Sequence, residues 1–272
     1  MLNSLFNRQP RAWRTPQFTI WTLYKELSEE THLLVAGETG SGKSVVINSI
    51  ITTLLTQSPA KVRFYMIDPK RTELIDYAEL PHVLRYAYRH ADIISALQEV
   101  VTLMESRLDV MQRNRQKLFN GPQVYVIIDE LADLLLTMKR QASPLLQRIL
   151  QLGRAARITV IAGTQVVNAS VIKTELRVNF TAIMGLRTAT AAHSRLLVGR
   201  SGCETFPNPK KEHKAYGFYR HGCECELYNL PTYTEQQQAD ILNWWQSKQC
   251  SVIRRERKCR YRATGRMVWN DD

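Results

Sequence analysis

The run Gly37-Glu38-Thr39-Gly40-Ser41-Gly42-Lys43-Ser44 sets glycines, a lysine and a hydroxyl residue at the spacing G-x-x-x-x-G-K-S. Glycine lets a backbone curl tightly, so the N–H groups from Thr39 to Lys43 can surround a phosphate. A helix beginning at Lys43 adds the positive end of its dipole. Lys43 then supplies a cation for the terminal phosphates of a nucleotide, and the Ser44 hydroxyl a ligand for Mg²⁺. The expected nucleotide-binding set is Gly37, Glu38, Thr39, Gly40, Ser41, Gly42, Lys43, Ser44 and Val45, with ATP and Mg²⁺ as the ligands.

A metal on a triphosphate needs a further carboxylate, and the apolar segment VYVIIDE ends in Asp129 and Glu130. Asp129 is the expected metal partner of Ser44. Glu130, one residue on, is placed to orient and deprotonate an attacking water, which favours hydrolysis over transfer to a substrate hydroxyl. The competing reading makes Asp129 a helix N-cap and Glu130 a dipole partner. Gln165, at the end of the apolar segment 158–164, is expected beside the γ-phosphate if that segment neighbours the Asp129 strand. A phosphotransferase using the same loop fits less well, because no acceptor pocket or arginine-rich lid is evident.

These residues need strand ends and a helix start to hold them. HLLVAG (32–37) reads as a strand buried on both faces, and VVINSIITTLL after the loop as a helix beneath a sheet. Further strands are expected at 62–68, 124–129, 158–164 and 181–187, and helices at 91–118 and 142–153. Strands alternating with helices predict an α/β fold of the P-loop kind: a mostly parallel central sheet with helices on both faces. A hairpin is expected at 214–230 and a last helix at 239–248. Residues 1–18 read as an irregular arm, 19–31 as a short apolar segment followed by a helix, and 249–272 as a basic tail.

The net charge of +12 favours a polyanionic partner, nucleic acid before anionic lipid, over a small-molecule substrate other than ATP. A merely solvated basic surface is the alternative. Five cysteines without C-x-x-C spacing fit a reducing cytoplasm, and no apolar run is long enough to span a bilayer. The stretch Arg254 to Arg266 carries much of the excess charge. Trp244 and Trp245 are expected to cap the core rather than stack on bases.

Four segments together, HLLVAGETGSGKS, MIDPKRTEL (66–74), IIDELADLL (127–135) and LGRAARITVIAGTQ (152–165), resemble the motor domain of the FtsK/SpoIIIE DNA translocases, within the HerA/FtsK group. Asp-Pro-Lys after the second strand carries more of that resemblance than the phosphate loop does. The resemblance covers about residues 27–233. It implies a RecA-like ATPase that assembles as a homo-oligomeric ring, usually a hexamer, and moves double-stranded DNA through its centre. It also implies an arginine acting across the subunit interface, for which Arg154, Arg157, Arg187 and Arg195 are the candidates; Arg154 and Arg195 stand in the matching segments.

The chain departs from the family where Val166-Val167 replace the usual Arg-Pro after Thr-Gln, and around Thr181 to Ile183. The expected catalytic set is Lys43, Glu130, Gln165, Arg154 and Arg195. The short build is similar to FtsK-like proteins of conjugative and mobile elements more than to chromosome pumps. A membrane-associated partner that recruits the motor to the inner face of the membrane stays open. So does a second reading, in which the chain binds ATP, assembles and recruits DNA-processing partners with little translocation of its own.

Overall fold

The computed structural model describes residues 32–166, 168, 172, 174–209, 215–230 and 233–256. The expected arm at 1–18, the segment 19–31 and the stretch 257–272 lie outside the described residues. Strands β1 (Leu33–Ala36), β2 (Val62–Ile67), β3 (Val83–Ala87), β4 (Gln123–Ile128), β5 (Ile158–Thr164), β6 (Ala182–Gly185), β7 (Ala215–His221) and β8 (Glu224–Leu230) form one sheet. Its order is β3-β2-β4-β5-β1-β6-β7-β8. Pairing is parallel from β3 to β6 and antiparallel from β6 through the β7–β8 hairpin.

Strands β1, β4, β5 and β6 are buried along their whole length, which explains their continuous apolar runs. Alternate side chains feed two cores. Leu33, Val35, Phe64, Met66, Tyr125 and Ile127 face α1 (Lys43–Leu54), while Leu34, Ala36, Ile67, Val126 and Ile128 face the other layer. That layer holds α2 (His90–Asn114), α3 (Leu131–Thr137) and α4 (Lys139–Leu152). Two short helices, α5 (Thr174–Arg177) and α6 (Ala191–Val198), flank β6 in the chain. The last helix, α7 (Glu235–Glu256), packs on the α1 side through Trp245, whose indole N–H donates to the Leu55 carbonyl at 2.7 Å. Trp245 therefore caps the core as expected; Trp244 is 52% exposed and meets Trp245 edge-on.

Several boundaries differ from the sequence reading for local reasons. The helix expected over 91–118 stops at Asn114, because Arg115 turns left-handed at φ 53° and its N–H closes on Gln112. The last helix does not end at 248 but continues to Glu256, so the expected tail beginning at 249 starts as helix. Strand β3 was not anticipated: it is a half-exposed edge strand, VLRYA, with no continuous apolar run. Helix α3 was not anticipated either, and α4 begins at Lys139 rather than at 142.

Candidate functional site

The phosphate loop leaves the carboxyl end of β1, the strand between β5 and β6, where a ligand crevice is expected in an open parallel sheet. Gly40 and Gly42 adopt φ of 77° and 93°, left-handed values that let the loop curl back on itself. Gly37 is required for a different reason: a Cβ there would lie 2.6 Å from Ser41 Oγ and 2.8 Å from Leu186 Cβ. Thr39 is exposed, Ser44 half-buried, and Val45 is 45% exposed on the first turn of α1. Helix α1 begins with Gly42 as an N-cap that makes no side-chain bond, and its first turn carries no acid. Its leading N–H groups and its dipole are thus left uncompensated. The buried Ser41 hydroxyl also has no hydrogen-bond partner.

Lys43 is 5% exposed and donates to the Asp129 carbonyl at 2.6 Å and to Asp129 Oδ1 at 2.8 Å. Two charges so far from water persist only as a pair. Glu130 is 2% exposed and occupies the N-cap position of α3 with extended backbone, yet its side chain caps nothing. Instead Glu130 Oε1 accepts the Gln165 backbone N–H at 3.0 Å. The Gln165 side chain in turn accepts from the Thr39 hydroxyl at 3.0 Å. Gln165 therefore links the Glu130 carboxylate to the phosphate loop, a link made possible because β5 pairs with β4 on one side and β1 on the other. Asp129 is thus not the N-cap of α3, which is Glu130; Glu130 makes no side-chain cap bond, and its place at the helix start is compatible with a dipole partner as well.

Two contributors were missed in the sequence. A Cβ at Gly163 would stand 2.4 Å from the Asp129 carbonyl oxygen and 3.0 Å from Lys43 Cδ, so only glycine leaves room for that pair. Glycine inside an otherwise apolar strand was the available signal. Lys70 lies 3.7 Å from Glu130 Oε2 and 3.8 Å from Asp133 Oδ2. The Asp-Pro-Lys motif marked its position without giving it a role.

The candidate arginines do not converge. Arg187, at the carboxyl end of β6, pairs with Glu38 of its own phosphate loop at 3.0 Å, and its carbonyl accepts the Glu38 N–H at 2.9 Å. Arg195 is exposed on α6. Arg154 and Arg157 precede β5, at the amino end of the sheet, about 20 Å from the phosphate loop by the length of that strand. Arg157 is left-handed at φ 55° and donates to the Gly121 carbonyl at 3.3 Å, so it shapes a turn. Val166 is 36% exposed where the family resemblance leads one to expect arginine, and Val167 lies outside the described residues.

Comparison with known proteins bears on the family resemblance and the fold. Residues 16–119 match the model of the FtsK/SpoIIIE family. The chain is 36% identical over 200 residues to the DNA translocase FtsK of Staphylococcus epidermidis, covering 66% of this chain and 25% of that protein. It is 34% identical over 200 residues to the DNA translocase FtsK of Lactococcus lactis subsp. cremoris, covering 66% and 26%. The chain thus spans about a quarter of the length of these curated relatives. Among solved structures, the pCW3 conjugation coupling protein TcpA with ATPγS is similar at a TM-score of 0.68 and 23% identity, over 80% of this chain and 66% of that one. The cytoplasmic domain of the Thermomonospora curvata Type VII secretion ATPase EccC is similar at a TM-score of 0.65 and 20% identity, over 80% and 28%. These likenesses show the fold, and the mostly parallel sheet is the one read from the sequence.

Proposed function

We propose that this chain, which carries an FtsK/SpoIIIE-type domain, hydrolyses ATP and couples the hydrolysis to movement along double-stranded DNA. The observation that carries the reading is the connected path from Glu130 through Gln165 to Thr39, beside the buried Lys43–Asp129 pair. The uncapped start of α1 and the unpartnered Ser41 hydroxyl fit a triphosphate. As ATP enters, the Lys43 ammonium exchanges its bonds to Asp129 for the β- and γ-phosphates. Glu130 accepts the proton of the water that attacks the γ-phosphorus, giving ADP and phosphate. Gln165, tied to both Glu130 and the loop, senses whether the γ-phosphate is present.

The freed Asp129 carboxylate and the Ser44 hydroxyl are the residues that would hold Mg²⁺, which when bound neutralises charge on the phosphates. Duplex DNA is supported as the partner by the charge of +12 and by the FtsK relatives. A basic surface grips phosphates without reading bases. In this reading the motor is a homo-oligomeric ring, hexameric by the family resemblance, serving transfer or maintenance of a mobile element and recruited by a membrane-associated partner. Among the described residues no helix is long and apolar enough to cross a membrane. Arg195 and Arg154 are the arginines proposed to act on a neighbouring subunit.

The test is steady-state ATP hydrolysis with and without linear duplex DNA, against single-stranded DNA. Strong stimulation by duplex is expected. ATP binding without DNA-stimulated turnover would replace the motor reading by the assembly and coupling one.

A further inference from the structure

We propose that Lys70 is the positioning residue for Glu130, an inference that rests on the ATP-hydrolysis reading and adds to it a group delivered from the turn that follows β2. Glu130 is held from two directions: Oε1 by the directed N–H of Gln165 at 3.0 Å, and Oε2 by the Lys70 ammonium at 3.7 Å. The Lys70 contact is a charge pairing, longer than a hydrogen bond, but its carboxylate partner is 2% exposed, where charge counts most. Asp133 stands one turn along α3 on the same face and attracts the same ammonium at 3.8 Å. Lys70, its own side chain 40% exposed, therefore sits between two carboxylates, and if it swung away the buried Glu130 would lose its cationic partner and keep only the Gln165 N–H.

An ordinary surface lysine contributes little, because its chain is free and its charge is screened. Lys70 differs in the loop that carries it. Asp68, fully buried at the end of β2, accepts the backbone N–H groups of Glu73 and Leu74 at 3.2 and 3.1 Å and the Tyr86 hydroxyl at 3.3 Å. The next fixed point is Arg71, left-handed at φ 59°, whose N–H donates to the Asp68 carbonyl at 3.1 Å. Its guanidinium stacks 4.4 Å over the Tyr88 ring. Such backbone at a bulky residue is strained and persists where the surroundings over-determine it. Pro69 restricts the remaining side. The strained, pinned loop leaves Lys70 directed at Glu130.

The experiment is steady-state ATP hydrolysis by the full chain with saturating linear duplex DNA, comparing wild type, Lys70→Ala, Lys70→Gln, Lys70→Arg, Glu130→Gln and the Lys70→Ala/Glu130→Gln double variant. Removing the charge is expected to lower kcat about tenfold or more, with KM for ATP and the half-saturating DNA concentration held within about twofold. Lys70→Gln should match Lys70→Ala, Lys70→Arg should recover most of the rate, and Lys70→Ala should cost nothing further once Glu130 is Gln. Unchanged kcat in Lys70→Ala overturns the inference, as does an equal loss in both Glu130 backgrounds. A higher half-saturating DNA concentration with kcat preserved also overturns it and makes Lys70 a DNA phosphate contact. Those outcomes leave the hydrolysis reading standing, whereas a wild-type protein that does not turn over ATP removes both.

Discussion

Beyond the carboxyl end of β4, two buried carboxylates meet lysines: Asp129 the buried Lys43, and Glu130 the exposed Lys70 together with the Gln165 N–H, whereas Asp68 at the end of β2 closes on two backbone N–H groups and the Tyr86 hydroxyl. At the amino ends of the same sheet, buried polar groups close on backbone or on neutral partners. His32 Nδ1 accepts the Val160 N–H at 2.9 Å, Gln123 donates to the Thr159 hydroxyl at 2.9 Å, and Arg107 donates to the Ala156 and Arg157 carbonyls at 2.8 and 3.2 Å while stacking on Phe119. A charge paired with a charge can exchange that partner for a phosphate. A charge that satisfies carbonyls cannot leave without orphaning them. The first edge is built to be reorganised by a ligand, the second to stay as it folds.

Substitutions at the two edges should therefore separate activity from stability. The largest effect is expected for Glu130→Gln, with turnover down about 100-fold or more and nucleotide still bound. ATP hydrolysis alongside fluorescent-nucleotide binding checks it, and near-normal turnover would strip Glu130 of its role. Arg195→Ala is expected to poison wild-type subunits when the two are mixed, because α6 begins from the carboxyl end of β6. Activity strictly proportional to the wild-type fraction would remove Arg195 and leave Arg154 as the candidate. Gly163→Ala should drive a methyl into the Lys43–Asp129 pair and weaken ATP binding about tenfold, with about 1–3 kcal/mol of strain. At the other edge, Arg107→Met should cost about 2–4 kcal/mol in denaturant unfolding while the activity of the folded fraction is unchanged.

How much of this was legible in the sequence follows from how local each signal is. The phosphate loop, the Asp129-Glu130 strand end and the β5 strand ending before Gln165 depend on consecutive residues, and the structure places them together. The edge strand β3 was invisible because a half-exposed strand with Arg85 and Tyr86 has neither an apolar run nor clear alternation. Gly163 and Lys70 act through contacts between strands distant in the chain, so their types were readable and their partners were not. The arginines show the same limit: Arg187 looked free to reach a neighbour, yet it is held by Glu38 of its own loop. An interface residue has no signature until two subunits are placed.

The last predicted effect is a pH dependence of stability arising at the amino edge. Burial pushes the His32 imidazole down to about 4, with the positive charge of Arg154 adding to it. His82, which precedes β3 and meets Trp245 edge-on, is likewise lowered by burial to about 4, with Arg63 contributing. Both rings stay neutral in the native protein down to about pH 4, whereas the unfolded chain takes up a proton on each below about pH 6.5. Between those values the unfolded state binds more protons, so stability falls as pH drops from about 6.5 to 4 and is unaffected by these groups above that window. The limit is about 3 kcal/mol per histidine. His32→Asn keeps an acceptor for the Val160 N–H, and His82→Gln keeps a donor for the Gln57 carbonyl, which His82 Nε2 meets at 2.9 Å. Neither replacement titrates, so the double variant should show a flatter unfolding free energy across that window in urea melts. A slope equal to that of the wild type would assign the acid sensitivity to carboxylates and leave the amino edge without a part in it.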